Sequence, residues 1–388
     1  MIKSRRIHRR LRIACTVAAL SLGCARNAPP AQSARSDPLV AELQRKLDSL
    51  RTTAGFPGAT FGIALRDGRT IGLATGLADT AARTALRPSD RLMQGSVGKT
   101  YVAAVAMQLV QEGKLSLDTP ISTYLGKRSW FSRLPNANSI TVRDLMRHTS
   151  GLVRYEFDER FTKALTSDPM RRWTPEEEIA FVLDQHPPFA AGAGWEYSDT
   201  NYIVLGLILE QITGQQYHDL LRARILTPLA LRNTIPVTGP AVPGLAQGYA
   251  GKKNVFGGSE AMLANGKMII DPAFEWTGGG IASTSEDLAR WGKLLYEGKA
   301  FDAALLPRVF DAVPAKLGPN TRYGLGVIVR DSPQGITYGH SGFFPGYATE
   351  MLYLPSSGIA VAIQVNTSDP YPRGLVRFLL DMAAAANH

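Results

Sequence analysis

Leu39, Leu43, Leu47 and Leu50 recur at helical spacing and stop before Gly55-Phe56-Pro57-Gly58, which predicts an amphipathic helix with one buried face. Two strand-like runs follow at residues 59–65 and 70–77, and the Asp67-Gly68 pair between them favours a hairpin turn. The apolar run over residues 101–110 is too long for an ordinary strand and closes at Glu112-Gly113, so it predicts a buried helix with Ser96 at its N-terminus. From there to about residue 275 the pattern is helical and loop-rich. Thr141 with Asp144 and Thr174 with Glu177 read as helix caps, Pro175 takes a first helical position, and an apolar run over residues 201–213 ends at Gly214. Ser283-Thr284-Ser285-Glu286 then caps a helix through about Tyr296. Strand-like runs follow at residues 325–329, 335–340, 348–354 and 359–366, before a last helix at 375–385.

Strands therefore occur at both ends of the chain with a helical block between them. The economical topology is an α+β fold: one antiparallel sheet built from residues of about 37–92 and 276–388 and flanked by terminal helices, with residues of about 93–275 forming a mostly helical second lobe. The cleft between the lobes is the expected site. No internal repeat is visible.

The first residues change the picture of charge. Lys3, Arg5, Arg6, Arg9, Arg10 and Arg12 precede an apolar stretch at 13–23 that is too short to span a bilayer, the pattern of a secretory signal over residues 1–24. Leu22-Gly23-Cys24 resembles a bacterial lipoprotein cleavage site with Cys24 as the lipidated residue, although Ser21 departs from that pattern. Ordinary cleavage nearby fits the same basic region and short core. The small, polar residues 25–36 read as a flexible tether. Without the six signal residues, most of the formal net charge of +10 disappears, and no dense basic run remains to suggest nucleic acid. Both cysteines, Cys15 and Cys24, fall in the signal region, so no disulfide framework is expected. The histidines show no zinc-ligand spacing, and no metal or other cofactor is expected.

Gln94-Gly95-Ser96-Val97-Gly98-Lys99-Thr100 is the stretch that suggests chemistry. Its Gly-Lys-Thr tail resembles a phosphate loop, but that motif needs a glycine where Met93 stands. A hydrolase elbow needs one where Gln94 stands. Residues three apart share a helix face, so Lys99 can reach Ser96, and a helix N-terminus offers N–H groups to a developing anion. Alone, the pattern equally fits a capping serine followed by a surface lysine.

Two later elements add to it: Tyr197-Ser198-Asp199 and His340-Ser341-Gly342. Ser96-x-x-Lys99, Tyr197-Ser198-Asp199 and His340-Ser341-Gly342, in that order, resemble the penicillin-recognising serine hydrolase superfamily. The likeness is to its branch of class C β-lactamases, D-alanyl-D-alanine carboxypeptidases and esterases, and extends over about residues 40–385. Connecting phrases share it, among them Arg147-His148-Thr149-Ser150-Gly151-Leu152 and Gly278-Gly279-Gly280-Ile281. The resemblance implies a β-lactamase/transpeptidase-like fold and acyl transfer through a covalent intermediate on Ser96, with Lys99 and Tyr197 sharing the proton work. It also implies an oxyanion hole from the backbone N–H groups of Ser96 and Phe343, and substrate contacts from His340, Ser341 and Gly342. A D-amino-acid peptide, a β-lactam or a small ester is the implied substrate, and a membrane is met only through the N-terminal anchor. A protein that is acylated but turns over slowly is the alternative.

Two positions depart from the family. Many relatives carry Lys where His340 stands, and a neutral imidazole is a weaker anion contact. Most carry Asn at Asp199, whose amide donates to an acylamino carbonyl; an ionised Asp only accepts, and close to Lys99 it favours the ammonium form. Asn201 is the candidate for supplying the missing amide, or the substrate lacks the acylamino group. Efficient β-lactam hydrolysis is accordingly the least expected of the three activities.

Overall fold

The computed structural model describes residues 37–252, 254 and 259–387. The expected signal segment, the tether and Cys24 lie outside them. Among the described residues, nine strands form one antiparallel sheet: β1 (Gly58–Ala64), β2 (Thr70–Asp79), β3 (Thr84–Ala85), β4 (Val313–Pro314), β5 (Thr321–Tyr323), β6 (Ile328–Ser332), β7 (Gly335–Phe344), β8 (Tyr347–Leu354) and β9 (Ile359–Val365). Their order is β3-β2-β1-β9-β8-β7-β6-β5-β4. The two ends of the chain meet at its centre, where Ala59 faces Val365 and Ala64 faces Ala360.

One face of the sheet carries α1 (Pro38–Ala54) and α6 (Leu375–Ala385). Leu43, Leu47, Leu379 and Met382 pack there against Phe61, Ile63, Val361 and Ile363, all essentially without exposure. The opposite face carries α5 (Ser285–Tyr296), joined to β1 by the Ser285 and Thr60 hydroxyls 2.7 Å apart. Because β1 and β9 are covered on both faces, every residue in each is buried. This explains why their sequences read as apolar runs rather than alternations.

The helical part is centred on α2 (Lys99–Gln111), and is completed around the site by α3 (Val142–Arg147) and α4 (Thr200–Thr213). Helix α2 is apolar on nearly every side because the core surrounds it. Tyr101 stacks on Trp291 of α5 at 4.3 Å, and the indole N–H donates to Thr100 Oγ1 at 2.8 Å. Burying each such ring is worth about 1.5–3 kcal/mol, which fixes α2 against the sheet lobe.

Two expectations need correction. Ser96 lies in a 3₁₀ turn, Gly95–Gly98, that runs into α2, rather than in the α-helix itself. The expected strand at 325–329 is broken, because Gly324 N–H bonds the Val327 carbonyl at 2.8 Å and Gly326 N–H bonds the Met146 carbonyl at 3.2 Å. That tight turn carries the chain from β5 to β6 across the end of α3, a tertiary tie that a local pattern does not encode.

Candidate active site

The nucleophile candidate is placed by the sheet. Strand β6 pairs with β7 only as far as Gly339, opposite Ile328, whereas β8 follows β7 to Phe344. Residues 340–344 therefore have one edge without a partner strand, and the Ser96 turn lies along it. The contact is close: a Cβ on Gly342 would sit 1.9 Å from the Gln94 carbonyl oxygen. Gly95, at φ 52°, would bring one within 2.7 Å of Phe343 N. Glycine is required at both places, and the backbone of Phe343 borders the turn that carries Ser96.

A cleft of about 680 Å³ opens over this edge. Ser96, Tyr197, His340, Ser341, Gly342 and Phe343 line it, whereas Lys99, Asp199 and Asn201 do not. Lys99 lies beneath, without exposure, on the first turn of α2. Its ammonium donates to Ser96 Oγ at 3.1 Å and to the Gly278 carbonyl at 2.5 Å, and pairs closely with Asp199. An ammonium has three donors, and here each has an acceptor. Burial alone pushes the Lys99 pKa down, but the Asp199 carboxylate, joined by Tyr197 and Glu275, outweighs it and holds Lys99 above its ordinary value. Asp199 responds in the opposite sense: burial pushes it up, and the Lys99 charge brings it below the usual carboxylate range. Lys99 is thus an ammonium facing the serine, with no lone pair to accept its proton.

Asp199 stands at the N-cap of α4, yet its side chain makes no cap hydrogen bond. An Asp there ordinarily accepts from the backbone of the first turn; this carboxylate is turned onto Lys99 instead. Tyr197, two residues earlier, has a buried hydroxyl without a hydrogen-bond partner among the described residues. Desolvation, opposed by the Lys99 charge, pushes its pKa up to about 12. The phenol is neutral near pH 7.

His148 supports this segment. It caps α3 in the left-handed conformation at φ 61°, and its ring lies 4.2 Å from that of Tyr197. Its carbonyl accepts from Glu196 N–H at 3.1 Å, and its Nδ1 accepts from Ser198 N–H at 3.3 Å. Asn201, the candidate for a substrate-facing amide, is corrected here. It is fully buried, its Oδ1 accepts from Ser150 Oγ at 2.5 Å, and its amide nitrogen bonds His148 Nδ1 at 3.0 Å. Both ends of the amide are committed inside the protein.

On the strand side, His340 is almost fully buried. Its Nε2 pairs with the Tyr323 hydroxyl at 2.8 Å and its Nδ1 with the Ser341 carbonyl at 2.6 Å. Burial pushes its pKa down to about 3, so it is a neutral ring near pH 7. The Ser341 hydroxyl donates to Glu350 at 2.9 Å and accepts from Arg330 at 2.7 Å.

Several residues at the site carried no sequence expectation. Arg154 lines the cleft and donates from Nε to Glu156 at 2.7 Å. Burial, with the Asp199 charge adding to it, pushes Glu156 up to about 7 and Glu275 up to about 8. Arg154 and Glu156 follow the His148–Leu152 phrase, and Glu275 stands three residues before Gly278. Their position beside family phrases was the available signal. Among the described residues, no group of three or more His, Cys, Asp or Glu side chains is disposed to hold a metal ion.

The family model described as Beta-lactamase matches residues 43–386. Penicillin-binding protein 4 of Amycolatopsis lactamdurans is 28% identical over 341 residues, which cover 84% of this chain and 85% of that protein. A D-stereospecific amidohydrolase from Streptomyces sp. has a TM-score of 0.74 at 26% identity, over 88% of this chain and 97% of that one. The D-amino acid amidase from Ochrobactrum anthropi SV3, complexed with L-phenylalanine amide, has a TM-score of 0.76 at 26% identity, over 90% of this chain and 98% of that one.

Proposed function

Because the chain belongs to the Beta-lactamase family and is a serine hydrolase of it, we propose that it cleaves D-amino-acid amides or peptides through an acyl-enzyme on Ser96, in the manner of a carboxypeptidase or amidase. The observation that carries this is the Lys99 Nζ contact to Ser96 Oγ at 3.1 Å, beneath a cleft into which Tyr197 also faces. The reactive form is Lys99 as the free amine, a minor state that Asp199 disfavours. Ser96 Oγ attacks the carbonyl carbon and gives its proton to Lys99 Nζ, the Tyr197 hydroxyl protonates the leaving amine, and the Lys99 ammonium returns a proton to Tyr197. Water then attacks the ester, which releases the acid and returns the proton to Ser96. The N–H groups of Ser96 and Phe343 take the oxyanion, an interaction whose loss typically costs about 10²–10³ in rate.

The likeness to a D-amino acid amidase favours an amide substrate over a β-lactam. The absence of a substrate-facing amide at Asp199 and Asn201 points the same way. Small esters are the second substrate class. Residues 1–24 act in this proposal as an export signal, with Cys24 as the lipid attachment point at the cell envelope.

A panel of a D-amino-acid amide, a D-Ala-D-Ala peptide, a chromogenic β-lactam and a short acyl ester tests the assignment, with mass spectrometry of the Ser96 peptide. Turnover of the amide or peptide above the β-lactam is expected. A persistent β-lactam adduct without turnover of anything else would sink the hydrolase role in favour of slow-turnover penicillin binding, which the ammonium state of Lys99 would also suit.

Asp199→Asn is expected to raise acylation near neutral pH. With the carboxylate gone, burial is opposed only by the smaller influences of Tyr197 and Glu275, the Lys99 pKa falls, and the acid limb of the acylation profile moves to lower pH. Each pH unit that the limb moves is about tenfold in rate at a fixed pH below it. Stopped-flow acylation against pH reads the effect, and an unmoved limb excludes Lys99 as the proton acceptor.

A further inference from the structure

We propose that, within the amide and peptide substrate class, the cleft prefers members bearing a carboxylate near the scissile carbonyl over simple uncharged amides, and that Arg154 is the residue that binds it. The proposal rests on the serine hydrolase reading of the same cleft.

Arg154 is the organised cation of that cleft. Its guanidinium carbon lies 4.0 Å from the centre of the Phe157 ring and 5.4 Å from that of Tyr197, the residue beside Ser96. Nε is held by Glu156, the Asp199 carboxylate adds its charge nearby, and the two terminal nitrogens have no hydrogen-bond partner among the described residues. A guanidinium anchored through Nε and flanked by rings presents those nitrogens as a fixed fork, the geometry that matches a carboxylate. The side chain is 28% exposed, so it reaches the cleft while much of its competing hydration is removed.

The opposite wall lacks an equivalent. His340 is neutral and both its nitrogens have partners. Arg330 donates to Ser341 and lies 3.6 Å from Glu350. Lys316 is an exposed lysine with no fixing partner among the described residues, and Glu196, also exposed, is the acid among the cleft's lining residues. An anion entering near Ser96 therefore meets its preorganised counter-charge on the Tyr197 side, not on the strand that carries the third motif. A carboxylate lost there would leave the fork unpaired in a partly desolvated wall, which is how such a site discriminates.

Two matched ester pairs test this and tell which half of the substrate carries the anion. One pair is p-nitrophenyl hemiglutarate against p-nitrophenyl valerate, with the charge on the acyl group. The other is 3-carboxyphenyl acetate against phenyl acetate, with the charge on the leaving group. The readout is the anionic-to-neutral ratio of kcat/KM within each protein, so that general damage from a substitution cancels. The full-length protein is expected to favour the anionic member of one pair. Arg154→Gln should lower that ratio about 10- to 100-fold, mainly through KM, and Arg154→Lys should restore part of it. A preference for the neutral member of both pairs by the unmutated protein overturns the proposal without any variant, as does a ratio that Arg154→Gln leaves unchanged. If no ester or amide acylates Ser96 at all, the hydrolase reading itself fails and this assignment falls with it.

Discussion

Replacing Ser96 with Ala is expected to abolish acylation and to lower turnover by about 10⁶, the scale on which serine hydrolases lose kcat when the nucleophile is removed. The substitution deletes one oxygen from a half-buried position at the mouth of the cleft. Lys99 keeps its contacts to Gly278 and Asp199, so the charge beneath the site stays paired. The folded state should consequently lose less than about 1 kcal/mol, within the range of changes that break no buried network. Substrate analogues should still bind, because the cleft walls are untouched, and a residual acceleration from binding and the backbone donors should persist. Intact-mass spectra with and without substrate, beside a thermal melt, separate the outcomes. Undiminished hydrolysis by the Ala variant would remove Ser96 from the mechanism, and loss of folding would make the serine structural.

What the sequence could show, and what it could not, divides along physical lines. The helix of Leu39, Leu43 and Leu47, the capping boxes of Thr141 and Thr174, and the hairpin around Asp67-Gly68 are local: periodicity and caps determine them, and they stand as expected. The order of the strands follows from the two ends of the chain both being strand-like, which leaves few ways to close one sheet. Side-chain commitments are different, because they depend on what a residue meets across the fold. Nothing in Tyr197-Ser198-Asp199-Thr200-Asn201 states that the Asn amide is consumed by Ser150 and His148. Nor does it state that the Asp forgoes capping α4 to pair with a lysine one hundred residues earlier. Chemistry alone indicated that Asp199 would hold Lys99 charged if the two were close; only the fold supplies the distance. Arg154 had no periodicity or motif of its own, only a place beside a family phrase, and its significance arises from an open strand edge and two aromatic rings, Phe157 and Tyr197.

That lysine gives the second large effect. Lys99→Met, close to isosteric, is expected to cost about 10⁴ in acylation rate, the upper range for a positioned proton-transfer group. It should also destabilise the protein, because removal of one partner from a buried ion pair leaves the other charge uncompensated, typically at about 3–5 kcal/mol. The pH dependence distinguishes that cause from simple misfit. In the unmutated protein Asp199 is depressed, so its contribution is present above its unfolded value of about 3.9 and is lost as pH falls through the folded value. Lys99 is raised, so its contribution is present below about 10.4 and is lost as pH rises through the folded value. The pair therefore stabilises throughout the interval between those limits. In the Met variant, burial, the largest influence on Asp199, is opposed only by Arg154 and Glu156, so the Asp199 pKa rises and the folded protein takes up a proton as pH falls. The stability deficit should then be large near pH 7 and shrink toward pH 4. Adding Asp199→Asn to Lys99→Met removes the orphaned charge and should recover much of the stability while leaving acylation as slow as in the single variant. Denaturant melts at several pH values, paired with acylation rates, read both quantities. A deficit independent of pH, or one that the double variant does not relieve, would mean that the ion pair is not what Lys99 contributes to the fold.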